Sequence, residues 1–191
     1  MMNLYQPLQF DNTENECVQL SDGRTVWLSR SSAVVGLFAI DNKVLMVKRG
    51  TGCPDEVGKW VLPCGYLDRN ETLLEGMVRE TYEETGFNLF ILGDYLLEWN
   101  AVIEHGLESQ PFFVRSLPVM DKKQNVSHYF RLIARSSAWY NKIELPEIDQ
   151  SKMNTDECES IAWLSIPEIR ELNADNMIGF KHFEVIKNNI Q

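Results

Sequence analysis

Residues 33–40 form an unbroken apolar run, and residues 44–47 form a second one after Asp41-Asn42. Short apolar runs with β-branched members around a turn dipeptide predict a buried hairpin. A smaller hairpin is expected at residues 17–20 and 25–28, around Ser21-Asp22-Gly23-Arg24 with Asp-Gly at its centre. A glycine-bearing loop from Gly50 to Gly58 then leads into Trp60-Val61-Leu62-Pro63. Past residue 70 the apolar spacing becomes helical: Leu74, Val78 and Thr81, with Met77 beside them, share one face. Thr72 with Glu75 three residues later makes a capping box, and Gly86 supplies the stop. Strands are expected at residues 87–97, 112–114, 129–134 and 161–164, and helices at 167–172 and 178–188. Strand-rich flanks around one well-marked helix predict a mixed α/β fold, a sheet packed against helices. The expected organisation is a hairpin extension at 1–30, a main domain at 31–172 and a C-terminal helix at 173–191 packed on it.

Composition narrows the partners. A chain of 191 residues suits one domain with additions. Its 28 acidic and 18 basic residues give a net charge of −10, which argues against nucleic acid as a partner, since phosphate neutralisation needs clustered Lys and Arg. Acid allows a different relation to phosphate, in which carboxylates hold a divalent cation and the cation holds the phosphate. Cys17, Cys53, Cys64 and Cys158 form no CxxC pair, so neither a structural zinc site nor a disulfide framework is expected. Residues 1–9 lack signal-peptide character and no apolar run reaches membrane-spanning length. The expected setting is a reducing cytoplasm, without a membrane partner.

The chemistry is concentrated between Gly65 and Phe87. Gly65 is followed after five residues by Glu71, then after seven by Arg79-Glu80-Thr81-Tyr82-Glu83-Glu84-Thr85-Gly86-Phe87. On a helix Glu80 and Glu84 stack at i, i+4, and Glu83 lies about 60° from Glu80 on the other side. Like charges so placed destabilise a helix unless something compensates. A hard divalent cation does, because magnesium takes oxygen ligands from carboxylates and substrate phosphates. Gly76 leaves space on the same face one turn earlier, and Arg79 points elsewhere, within reach of Glu75 and Glu83. A solvated helix face would explain any one of these glutamates, but not the whole set at fixed spacing.

This pattern resembles the Nudix box, G-x5-E-x7-R-E-U-x-E-E-x-G-U with U apolar, and more loosely the likeness extends over residues 31–172. The resemblance implies an α/β/α sandwich around a mixed sheet, with the box as a loop–helix–loop that binds magnesium or manganese. It implies hydrolysis of the diphosphate of a nucleoside diphosphate linked to another group. By position, Glu80 and Glu84 match the main metal ligands and Glu83 a further one. Glu80, Glu83 and Arg79 match catalytic positions, and Glu71, Gly65 and Gly86 supporting ones. The family's general base varies, and Glu104, Glu108, Glu157 and Glu159 are candidates outside the box.

Two residues depart from the pattern. Thr81 stands where an apolar residue is usual, although its methyl can pack. Cys64 replaces the usual glycine before Gly65, a position whose backbone carbonyl serves a metal in the family. Isopentenyl diphosphate isomerase, of the same fold, places a catalytic cysteine in this region, so a reactive Cys64 thiol is the alternative reading. A non-catalytic, ligand-sensing Nudix module is another; the intact box and the lack of a long basic C-terminal segment speak against it.

Substrate contacts are expected from Arg49, Trp60, Tyr66 and Phe112, with Lys48 and Phe113 as further candidates. Aromatic faces stack on bases and basic groups meet phosphate. Ser109-Gln110-Pro111-Phe112-Phe113 is similar to part of a signature in NADH pyrophosphatases. Residues 121–127 resemble a loop of ADP-ribose pyrophosphatases, and selectivity is expected in loops 97–119 and 121–127. The expected partner is a small nucleotide-type diphosphate: ADP-ribose first, NADH second, a nucleoside triphosphate third. A homodimer fits this family.

Overall fold

A computed structural model of the protein describes residues 16–28, 30–116, 125–138, 142–148 and 156–190. The chain divides into two compact units, residues 1–30 and 31–191. In the first, strands β1 (Glu16–Gln19) and β2 (Thr25–Leu28) pair antiparallel, and Gly23 takes the left-handed conformation in the turn.

The second unit is built on a mixed sheet. Strands β3 (Ser31–Ile40) and β4 (Lys43–Arg49) form the expected hairpin. Asp41 and Asn42 between them both have positive φ, 48° and 62°, as a two-residue type I′ turn requires. The Asp41 carboxylate also accepts a hydrogen bond from the Ser136 amide at 2.7 Å, tying this turn to the end of β9 (Asn125–Arg135). β3 and β9 run parallel over ten paired positions, from Ser31 with Asn125 to Ile40 with Ala134. Strand β10 (Cys158–Ser165) closes the β4 side antiparallel, β5 (Trp60–Val61) adds to β4, and β6 (Cys64–Tyr66) adds to β3. On the other flank, β7 (Val102–His105) and β8 (Phe113–Ser116) both pair antiparallel with β9.

Side chains alternate across β3, and each face meets its own helices. Val34, Phe38 and Ile40 pack with Met77 of α1 (Leu73–Thr85) and with Leu89, Leu92 and Leu96 of α2 (Leu89–Glu98). Val35, Leu37 and Ala39 pack with Ile169 of α3 (Ile166–Ala174) and with Val185 and Ile186 of α4 (His182–Asn189). The result is a helix–sheet–helix sandwich with two buried cores, one on each face. Each large apolar side chain so buried contributes about 1.5–3 kcal/mol before entropy is counted.

One expected strand is a helix. Residues 87–97 fall largely in α2, because Asn88 caps the Phe90 and Ile91 amides and Leu89, Leu92 and Leu96 repeat at helical spacing. The expected helix at 178–188 begins later, at His182, since Phe180 and Lys181 have φ of 52° and 54°. Thr81 is fully buried, with its hydroxyl donating to the Met77 carbonyl at 2.8 Å, so the polar group is satisfied inside the core.

Candidate active site

The site is assembled by the passage from β6 into α1. Thr72 and Glu75 form the capping box, each side chain accepting from the other's amide, and Gly86 ends the helix at φ 72° with its amide on the Tyr82 carbonyl. Held in this way, α1 turns Glu80 and Glu84 toward the β6 backbone. Glu84 Oε2 accepts from the Cys64 amide at 2.9 Å. Gly65 lets Glu80 approach: a Cβ there would collide with the Glu80 carboxyl group. Gly76 gives the same freedom to the loop before the helix, since a Cβ there would lie 2.8 Å from Glu71 Oε1 and 2.9 Å from Leu67 Cδ1.

Arg79 organises the acids. Its Nε and Nη2 hold both Glu71 oxygens, at 2.9 and 2.6 Å, while Nη2 also donates to the Tyr66 carbonyl at 3.0 Å. Nη1 donates to Glu80 Oε1 at 2.8 Å and Glu83 Oε2 at 3.0 Å. The bond to Glu71 raises the Arg79 pKa and, reciprocally, lowers that of Glu71. Glu75, expected near Arg79, serves the helix cap instead.

Glu80 and Glu84 differ from Glu71. Burial raises the pKa of Glu80, against the opposing pull of Arg79. Burial raises Glu84 to about 8, with the Glu80 charge adding to it and the Cys64 amide opposing. Two neighbouring carboxyls whose charged forms are both disfavoured fit a hard cation, which relieves the desolvation and the mutual repulsion together. Among the described residues no three His, Cys, Asp or Glu side chains already converge as a metal cage. Glu83 is 57% exposed and shares the Arg79 Nη1 donor with Glu80.

Glu80 and Glu84 line a cavity of about 1080 Å3, together with Cys64, Gly65, Tyr66 and Arg49. Arg49 is fixed by Asp55, through bonds of 2.9 Å to its carbonyl and to its carboxylate, and lies 5.0 Å from the Phe180 ring centre. Trp60 and Phe112 are not brought to the cavity. Trp60 is held in the β4–β5 ladder and packs on the α3–α4 side, and Phe112 lies beneath the Arg131 guanidinium at 4.6 Å. Of the four acids considered as general base, Glu157 alone lines the cavity; Glu104 pairs with Arg135 at 2.8 Å and Glu159 with Lys48 at 2.6 Å. In the expected selectivity loops, residues 117–124 lie outside the described residues.

Burial, with Glu84 beside it, pushes the Cys64 thiol well above its usual value, which opposes a thiolate role. Sequence reasoning missed Arg115, Tyr129, Phe180, Lys181 and His182, which also line the cavity.

The chain belongs to the Nudix family: the NUDIX domain model matches residues 28–185. It is 41% identical over 61 residues to an ADP-ribose pyrophosphatase of Methanocaldococcus jannaschii, a stretch covering 32% of this chain and 35% of that protein. Among solved structures, it is similar to a bifunctional NMN adenylyltransferase/ADP ribose pyrophosphatase of Francisella tularensis, complexed with AMP and a manganese ion. The TM-score is 0.60 at 22% identity, over 83% of this chain and 40% of that one. A NUDIX hydrolase of Nitrosomonas europaea matches with a TM-score of 0.55 at 19% identity, over 84% and 87%. The chain thus spans well under half the length of the first two relatives. No helix among the described residues is long and apolar enough to cross a membrane.

Proposed function

We propose that the protein is a metal-dependent pyrophosphohydrolase that cleaves the diphosphate of a small nucleotide, with ADP-ribose as first substrate. The observation that carries this reading is the pairing of Glu80 and Glu84 against the Gly65–Cys64 backbone, inside a cavity that also holds Arg49. Glu80 and Glu84 are the side chains that would hold magnesium or manganese, with the Cys64 carbonyl beside them. Such an ion supplies positive charge against the phosphoryl oxygens and acidifies water.

The chain's own groups do the rest. Glu157 takes the proton as a water oxygen bonds to phosphorus and the bridging P–O bond breaks. Arg79 keeps Glu80 oriented through its bonds to Glu71 and Glu80. Arg49, held by Asp55, faces the cavity as a fixed cation for phosphate. ADP-ribose is favoured by the Methanocaldococcus relative and by room for two groups around one diphosphate. NADH ranks second and a nucleoside triphosphate third.

The test is a panel of ADP-ribose, NADH and nucleoside triphosphates with magnesium or manganese. AMP and ribose 5-phosphate are the expected products of ADP-ribose. Release of pyrophosphate from a triphosphate alone would overturn the substrate and keep the reaction class; no cleavage of any diphosphate would overturn both.

A further inference from the structure

A second wall of the cavity, from β8, β9 and the start of α4, carries hydrogen-bond donors, among them Arg115, Tyr129, Lys181 and His182, with Glu184 the acid beside them. Helix α4 begins here with Lys181 at its N-cap, and no side chain caps its first amides. The helix dipole favours an anion at this end, while the His182 and Glu184 amides already donate to the Gly179 and Lys181 carbonyls at 3.0 and 3.3 Å.

His182 supplies an independent sign of a ligand. It is 2% exposed, and its Nδ1 accepts from the Leu62 amide at 3.0 Å. A neutral imidazole that accepts at Nδ1 carries its proton on Nε2. That N–H has no protein acceptor among the described residues; the ring otherwise meets Tyr129 edge-on at 6.1 Å and Phe180 at 5.6 Å. His182 lines the cavity, so a ligand oxygen there would accept from this N–H. Arg115 is already positioned beside it, donating to the Phe180 carbonyl at 3.2 Å and bonding Tyr129.

We propose that this wall is a phosphoryl-binding subsite: the His182 Nε2–H and the Arg115 guanidinium hold the substrate phosphate that does not sit on the α1 carboxylates. The proposal rests on the diphosphate-cleaving reading and adds the residues that grip the second phosphate without a metal.

The test is calorimetric titration of the full chain in EDTA with AMP and ribose 5-phosphate, and with adenosine and ribose as uncharged counterparts. The phosphate esters bind and the uncharged compounds do not. In His182→Asn the amide oxygen still serves the Leu62 amide but the distal donor is gone, so ester affinity falls about tenfold or more with thermal stability kept. His182→Gln, which reaches as far as Nε2, restores ester binding while losing the Leu62 contact. Should His182→Asn not fold, Arg115→Gln gives the same comparison, with the same loss of about tenfold. Unchanged ester affinity in a folded variant, no ester binding by the wild-type chain, or adenosine binding as tightly as AMP would each overturn the subsite. Magnesium-dependent cleavage is assayed separately, so a failed subsite with intact cleavage spares the proposed function. Ester binding without any cleavage does the reverse.

Discussion

The Cys64 amide donates to the Glu84 carboxylate at 2.9 Å, so the residue before Gly65 acts on the site through its backbone. Alanine keeps that amide and the adjacent carbonyl. Cys64→Ala is therefore expected to retain at least about half of wild-type kcat/KM on the preferred diphosphate. Complete loss in a folded variant, with isopentenyl diphosphate turnover by the wild type, would instead establish thiol chemistry.

Gly65 is expected to be far less tolerant. The Cβ of Gly65→Ala would occupy the space of the Glu80 carboxyl, forcing that group away from the Glu84 side. Activity should fall by about a hundredfold or more, with a stability change of about 1–3 kcal/mol. Steady-state kinetics and urea unfolding measure the two effects separately. A fully active Gly65→Ala protein would show that the Glu80 approach is dispensable.

Glu80→Gln and Glu84→Gln each remove a charged oxygen from the pair that fits the cation. Each should reduce hydrolysis by about a hundredfold or more at limiting magnesium, with the far-UV circular dichroism unchanged. Retained activity in Glu84→Gln at limiting magnesium would remove the metal assignment.

The box was legible because a helix makes spacing into geometry: the capping box, the Gly86 stop and the Glu80–Glu84 stacking all follow from fixed periods. The β3–β4 hairpin was legible for the same reason, from apolar runs around Asp41-Asn42. α2 was misread as a strand because its apolar residues are nearly continuous, and the Asn88 cap was the available signal. Trp60 and Phe112 were assigned to the substrate from residue type, and both are half-buried and pack against the α3–α4 core. His182 and Arg115 were illegible, since their proximity to Glu80 depends on strand order and on the positive φ of Phe180 and Lys181, both set by tertiary contacts.

His182 also makes stability depend on acid. Burial holds its imidazole at about 3, against an ordinary 6.5. Below the ordinary value the unfolded chain takes up a proton that the folded chain refuses, so its contribution is complete above pH 6.5 and declines toward pH 3. The slope from this group is at most about 1.4 kcal/mol per pH unit. Urea midpoints of the wild type should therefore fall more steeply than those of His182→Asn as pH drops below about 6. Parallel midpoints across that range would show that His182 is protonated in the folded state.

Water attack on phosphorus at the Glu80–Glu84 site is tested most directly by ADP-ribose hydrolysis in 18O-labelled water, read by the isotope shift in phosphorus NMR. The expected result is one 18O in the phosphate of AMP or of ribose 5-phosphate, formed with magnesium or manganese, absent in EDTA and reduced by about a hundredfold or more in Glu84→Gln. Absence of labelled phosphate from ADP-ribose, NADH and nucleoside triphosphates alike, with either metal, would contradict it.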